Sequence, residues 1–262
     1  MRTVPVLVLK AAGTNCDAET AFAFDQCGGD CDIVHVNRFL RRPELLEEYA
    51  ILAIPGGFSY GDDLSAGKVF AIELLRVRDH IERFVQRGGL MLGICNGFQV
   101  LVKTGFLPDT RTGGERQEVT LTDNDSDHYE DRWVQLKVGT TRSPFFPHED
   151  QFELPVAHAE GKLVMRNDGV AAAVLKDHVV LQYVDASGRP TQRYPENPNG
   201  SAHAIAGLCD RSGRVLGLMP HPERHFFGHH HPRWTRGESP GERGAGARLF
   251  ENAVRAAREA LG

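Results

Sequence analysis

The sequence predicts an α/β fold built on a doubly wound, open sheet of parallel strands. Two observations carry this. Short aliphatic runs alternate with helical stretches through the first hundred residues, and the runs are apolar at successive positions, as in strands buried on both faces. The strands are Val4–Lys10, Cys31–Val36, Ala50–Pro55 and Gly89–Ile94. Between them, Asp17–Cys27 reads as a helix closed by Gly28 and Gly29, Arg42–Tyr49 as one with Pro43 in its first turn, and Lys68–Gln86 as one closed by Gly88 and Gly89. A sheet wound this way binds ligands at the carboxyl ends of its strands. Both GGFSYGDD (Gly56–Asp63) and Cys95–Gly97 fall at such ends. The later half is more broken, with strands expected at Arg132–Val138, Val179–Val184, Ala202–Leu208 and Val215–Met219, and a last helix over Ala245–Leu261. The order of those later strands is left open.

Composition narrows the function classes. A chain of 262 residues, 41% hydrophobic and 25% charged, suits one globular domain over residues 1–262 that buries roughly 70–75% of its unfolded surface. The opening MRTVPVLVLKAAG reads as a first strand rather than a signal peptide, and no apolar run nears the ~18 residues of a membrane span, so a cytoplasmic protein with no membrane partner is expected. A net charge of −5 argues against a nucleic-acid partner, whose phosphates need neutralising. Five cysteines without paired ligand spacing give no expectation of disulfides, structural zinc or any other metal site. His225 and the run His229–His231 lack the i, i+4 spacing of a helical zinc site and read as a solvated loop. NDSDHYEDR (Asn124–Arg132) reads as charged surface, with a partner contact as the alternative.

Chemistry concentrates at LGICNGFQVL (Leu92–Leu101). A cysteine there is either a small buried hydrophobe or a nucleophile. Context favours the second, because an aliphatic strand, then Gly93-Ile94-Cys95-Asn96-Gly97, then a helix is the strand-turn-helix of a nucleophile elbow. The following helix offers its positive end to a Cys95 thiolate, and the Asn96 N–H points where an oxyanion would form. The base is sought among twelve histidines. His221, between Pro220 and Pro222 after an expected strand, is pushed to extended backbone, where Glu223 two residues on projects to the same side and can orient the imidazole. Gly57, in the loop after the third strand, is a candidate second oxyanion donor.

With these residues in place, the chain resembles class I glutamine amidotransferases, whose mark is a cysteine elbow paired with a distant His-Pro-Glu. Its finer motifs, GTNCD (Gly13–Asp17), GGFSYGD (Gly56–Asp62), AHAEG (Ala157–Gly161) and RYPENPNGS (Arg193–Ser201), are similar to those of the glutaminase subunits that serve phosphoribosylformylglycinamidine synthesis. The resemblance runs from residue 3 to 262. It departs at Ala159, where glycine is usual, and in a lengthened loop over His229–Gly246. The resemblance implies a flavodoxin-like open sheet with a nucleophile elbow, and a triad of Cys95, His221 and Glu223. It further implies L-glutamine as substrate, with Gln99, His158 and Glu160 contacting it by family position; for Gln99 and His158 a purely structural role stays open. No cofactor is implied for this chain. ATP and magnesium are expected on a large synthetase subunit, with a small third subunit completing the complex. A cysteine hydrolase of similar fold and a non-catalytic scaffold are the competing readings; the first lacks the late His-Pro-Glu, and the second leaves a filled triad without purpose.

Overall fold

The four aliphatic runs become neighbouring strands in a computed structural model, which describes residues 3–110, 117–140, 142–148, 150–237 and 241–261. In chain order the first half comprises β1 (Val4–Lys10), α1 (Asp17–Asp25), β2 (Gly29–His35), α2 (Val36–Arg41), β3 (Ile51–Ile54), α3 (Lys68–Leu75), α4 (Arg78–Gln86), β4 (Leu90–Ile94) and α5 (Asn96–Lys103). The second comprises β5 (Val119–Thr122), β6 (Glu130–Val138), β7 (Gln151–His158), β8 (Lys162–Met165), α6 (Asp168–Asp177), β9 (Val179–Tyr183), β10 (Ile205–Cys209), β11 (Val215–Leu218) and α7 (Ala247–Ala260). No helix among the described residues is long and apolar enough to cross a membrane.

One mixed sheet of nine strands runs β2-β1-β3-β4-β11-β10-β9-β6-β7. Its first five strands are parallel, which is the flavodoxin-like half the sequence predicts. The other four are antiparallel and extend the sheet beyond that half, so it is not parallel throughout. A separate two-stranded ribbon pairs β5 with β8. From β1 the chain steps outward to β2, then returns across β1 to β3 and continues to β4. That reversal makes the β1/β3 boundary a topological switch point, with a crevice outside the carboxyl ends of both strands. An isolated bridge between Thr14 and Gly57 ties the two loops that flank it.

Several elements differ from the sequence expectation, each for a local reason. The run Cys31–Val36 is not buried on both faces: it lies in the edge strand β2, where Asp30, Asp32 and Ile33 are exposed and charge protects the open edge. Pro43 does open a helical turn, but a 3₁₀ one over Pro43–Glu48, and the α-helix lies before it as α2, capped by the His35 ring accepting from the Asn37 N–H at 3.1 Å. Lys68–Gln86 is two helices, because Val77 leaves helical geometry (φ −122°, ψ 22°) between them. Ala202–Ala204 forms a 3₁₀ turn before β10 rather than part of the strand. The sequence reading misses β5, β7, β8 and α6 altogether.

Packing fixes where the site forms. Helices α1 and α7 meet through Phe24 and Phe250, edge to face with centroids 4.9 Å apart. Helix α5 lies over β3, β4 and β11, and its first turn presses on β3 so closely that a Cβ at Gly97 would collide with the Ile54 carbonyl. A Cβ at Gly93 would in turn stand 2.6 Å from the Gly97 carbonyl oxygen. Gly97→Ala is therefore expected to destabilise the fold by about 1–3 kcal/mol or more, since backbone rather than a flexible side chain must yield. Urea denaturation checks this; an unchanged midpoint would show that the contact is dispensable.

Candidate active site

Cys95 stands between β4 and α5 with φ 49° and ψ −102°, a backbone conformation that costs free energy and persists because both flanks are fixed. Its N–H donates to the Leu218 carbonyl at 2.8 Å, so β11 holds the elbow from one side while Gly97 holds it from the other. The side chain is 5% exposed, and the Sγ lies 3.6 Å from the Ala157 carbonyl oxygen. Asn96, the first residue of α5, carries one of the N–H groups that a helix start leaves without an intrahelical acceptor.

His221 follows β11, the strand next to β4, and so arrives beside the elbow. Its backbone is extended (φ −105°, ψ 90°), as expected before proline, and its N–H donates to the Pro155 carbonyl at 2.8 Å. Glu223 does not share that extended geometry: Pro222–His225 forms a 3₁₀ turn, and the turn brings the carboxylate back to the ring. The Glu223 Oε1 lies 2.6 Å from His221 Nδ1. Burial opposes charge on this imidazole, but the Glu223 carboxylate and the Cys95 sulfur win and raise its pKa well above the ordinary value. Neither His221 Nε2 nor Glu223 Oε2 has a hydrogen-bond partner among the described residues, although both atoms are buried.

The loop after β3 wraps the elbow through the Asn96 side chain. The Asn96 Oδ1 accepts from the Ser59 N–H (3.3 Å) and hydroxyl (2.5 Å), while its Nδ2 donates to Asp62 Oδ1 and Gln99 Oε1, both at 3.0 Å. Gln99 Nε2 donates to the Glu160 carbonyl at 2.5 Å. Both ends of the Gln99 amide thus serve the protein. Both carboxylate oxygens of half-buried Glu160 accept from the Ala66 N–H at 3.1 Å, which leaves lone pairs for a further donor. Gly57 (φ 138°) sits at the start of this loop, against residues 13–15.

His158 ends β7 in a polar network. Its Nδ1 lies 3.1 Å from Asn124 Oδ1, which also accepts from the Gly161 N–H at 3.0 Å, and its Nε2 lies 3.5 Å from Asn199 Nδ2. Burial, helped by the nearby His221, lowers the His158 pKa to about 3, so the ring is neutral. Segment 124–132 is therefore not simple charged surface: Asn124 and Glu130 are buried, and the Tyr129 ring faces Phe58 at 6.4 Å across the loop. Neither is the histidine cluster wholly solvated. His225 and His231 are buried beside Trp133, with centroids 4.8 and 4.7 Å from it and 5.6 Å from each other. His231 Nε2 pairs with Glu153 Oε2 at 2.7 Å; His229 and His230 are exposed. Residues 238–240 of the lengthened loop lie outside the described residues.

Sequence reasoning missed Cys16. It is 1% exposed, accepts from Arg224 Nη2 at 3.2 Å, and lies beside His221 and Glu223. GTNCD was legible as a motif, but nothing local said which residue it would meet.

Comparison with known proteins decides the family. Residues 3–255 match the family described as CobB/CobQ-like glutamine amidotransferase domain. The chain belongs to this glutamine amidotransferase family. Among similar amidotransferases, a Dehalococcoides mccartyi protein called phosphoribosylformylglycinamidine synthase subunit PurQ is 46% identical over 261 residues, covering 99% of this chain and 100% of the relative. A PurQ subunit from Archaeoglobus fulgidus is 41% identical over 242 residues, covering 86% and 89%. The solved structure of PurLQS from Thermotoga maritima has a chain 30% identical with a TM-score of 0.72, covering 97% of this chain and 99% of that one.

The neutral amidotransferase histidine has a thermodynamic consequence. Between pH 6.5 and 3 an unfolded His158 binds a proton that the folded one refuses, so stability falls as pH drops through that window. From pH 7 to 5 this group alone is expected to cost about 2 kcal/mol. His158→Asn should lower stability at pH 7 yet flatten its pH dependence in urea denaturation; equal slopes for both proteins would contradict the assignment.

Proposed function

We propose that the chain is the glutaminase subunit of phosphoribosylformylglycinamidine synthase, acting as one glutamine amidotransferase domain in the cytoplasm. It hydrolyses L-glutamine to glutamate and ammonia. The ammonia passes to a large synthetase subunit, which binds ATP and magnesium, and a small third subunit completes the assembly. The observation that carries the reading is the meeting of a strained Cys95 elbow after β4 with the His221–Glu223 pair after the neighbouring β11, in a chain 46% identical to a PurQ subunit.

In this mechanism the Cys95 thiolate attacks the side-chain amide carbon of glutamine, and the backbone N–H groups of Gly57 and Asn96 hold the oxyanion. His221, charged by its pairing with Glu223, gives a proton to the departing nitrogen and ammonia leaves. The neutral ring then takes a proton from water, which hydrolyses the thioester and returns the thiol. Glu223 keeps the Nδ1 side of the ring occupied, so Nε2 is the atom that handles the proton. Glu160 receives the glutamine ammonium on its remaining lone pairs. Gln99 and His158 hold the pocket wall: the first joins the elbow to Glu160, and the second joins β7 to Asn124 and Asn199.

Two measurements test this. Cys95→Ser should abolish glutamine-dependent formation of the formylglycinamidine ribonucleotide by the reconstituted complex and leave the ammonium-driven reaction intact. Retention of both activities would remove Cys95 from the chemistry, and loss of both would make it structural. His221→Asn should lower glutaminase turnover by roughly 10² to 10⁴-fold, and Glu223→Gln by less, because it disturbs orientation and charge without removing the proton carrier. Equal losses would mean that Glu223 does more than orient.

A further inference from the structure

The elbow can supply one oxyanion donor but not two. The Cys95 N–H is already given to the Leu218 carbonyl at 2.8 Å, which leaves the Asn96 N–H at the start of α5. The second donor of the proposed mechanism, the Gly57 N–H, belongs to a different segment. Its orientation is set by its neighbours: the Cys16 N–H donates to the Gly56 carbonyl at 3.3 Å, and the N–H of that trans peptide therefore points away from Cys16. The Phe58 N–H donates to the Gly13 carbonyl at 2.9 Å, and a Cβ at Gly57 would stand 2.7 Å from the Asn15 nitrogen. One side of the Gly57 loop is thus fixed against residues 13–16. Those contacts do not set its distance from the elbow.

The Asn96 side chain does. It is 3% exposed and crosses from the elbow to the loop, where its Oδ1 accepts from the Ser59 N–H at 3.3 Å and hydroxyl at 2.5 Å, and its Nδ2 donates to Asp62 Oδ1 at 3.0 Å. The second Nδ2 hydrogen goes to Gln99 Oε1 at 3.0 Å. An asparagine amide has two donors and two acceptor positions, and all four are filled by protein. The side chain therefore has nothing left to offer a substrate. The loop it holds is strained: Tyr60, Asp62 and Leu64 have φ of 56°, 54° and 66° without being glycine. Such backbone persists only where its surroundings over-determine it. Asn96 grips this stretch at Ser59 and Asp62, and Glu160 grips its far end through the Ala66 N–H at 3.1 Å.

We propose that Asn96 is a positioning residue through its side chain: clamped on Ser59 and Asp62, it sets the spacing between the Asn96 and Gly57 N–H groups. The side chain acts through those two donors and touches no reacting atom. An oxyanion forms only as the thiolate adds to the amide, so a donor held out of place weakens that step and leaves glutamine binding alone. The inference rests on the glutaminase reading and adds to it a side chain that the mechanism above does not use.

The reconstituted complex is assayed for glutaminase turnover, and Cys95 of the full chain is alkylated with iodoacetamide and followed by peptide mass. Alkylation forms the S–C bond as iodide leaves, with no oxyanion, so it reads the thiol and not the oxyanion site. Asn96→Ala should lower kcat roughly 10- to 100-fold with KM within about twofold of the unsubstituted protein, and alkylation should keep its rate. Ser59→Ala should show the same split more weakly, because Asn96 stays on Asp62 and on the Ser59 N–H; it carries the test if Asn96→Ala fails to fold. The double variant should be no slower than Asn96→Ala within about twofold, since both act through one clamp. Unchanged kcat, an effect on KM alone, or multiplying losses in the double variant would overturn the proposal. So would alkylation slowed in parallel with turnover, which would show that the clamp only supports the elbow. A complex of the unsubstituted protein without glutaminase activity would remove the glutaminase reading, and this inference with it.

Discussion

The contact between Gly97 and the Ile54 carbonyl is the constraint on which the site depends. Because the first turn of α5 lies so close to β3, the residue before that helix cannot take helical or extended backbone. Cys95 is forced to φ 49°. Its strain is carried by packing on both sides: β3 below the helix and β11 accepting the Cys95 N–H. The same closeness sets the first-turn N–H groups of α5 beside the sulfur, so one steric fact yields both the backbone turn that presents the thiol and the positive field around it.

Around that elbow the polar contacts come from amides more than from charges. Asn96, Asn124 and Asn199 each use a side-chain amide to join segments distant in sequence, and each is buried. A neutral amide both donates and accepts, so it can hold a loop in place without adding a charge that would perturb His221. Charged groups take part as well: Asp62 and Glu160 anchor the loop after β3. Glu223 keeps the imidazolium favourable against burial, and Arg224 faces the Cys16 sulfur on the far side.

Legibility in the sequence tracked how local each signal was. Val4–Lys10 is observed with the bounds read from the sequence, because a buried parallel strand announces itself by an unbroken aliphatic run. Strand β7 was hidden by Glu153 and Pro155. It lies at the outer edge of the sheet, where a residue without an N–H is tolerated, and Glu153 is spoken for by His231. The elbow and the His-Pro-Glu turn were legible because their residues are adjacent in sequence. Cys16 and the Asn124–His158–Asn199 network were not, since their meaning depends on partners from other segments. For the same reason the three-histidine run misled: His231 is set apart from its neighbours only by Trp133 and Glu153.

The place of β11 in the sheet bears on how the chain comes off the ribosome. This strand is inserted between β4 and β10, and it brings His221 with it. Synthesis delivers Cys95 long before that insertion can occur, with β4 unpaired along one side and its aliphatic row uncovered. A nascent chain of this kind is vulnerable to edge-to-edge sticking during translation. It is also chemically quiet, because its thiol has as yet no imidazole beside it. Late closure of the sheet therefore makes full reactivity a sign of completed folding, and an early-terminated product carries a nucleophile without its base.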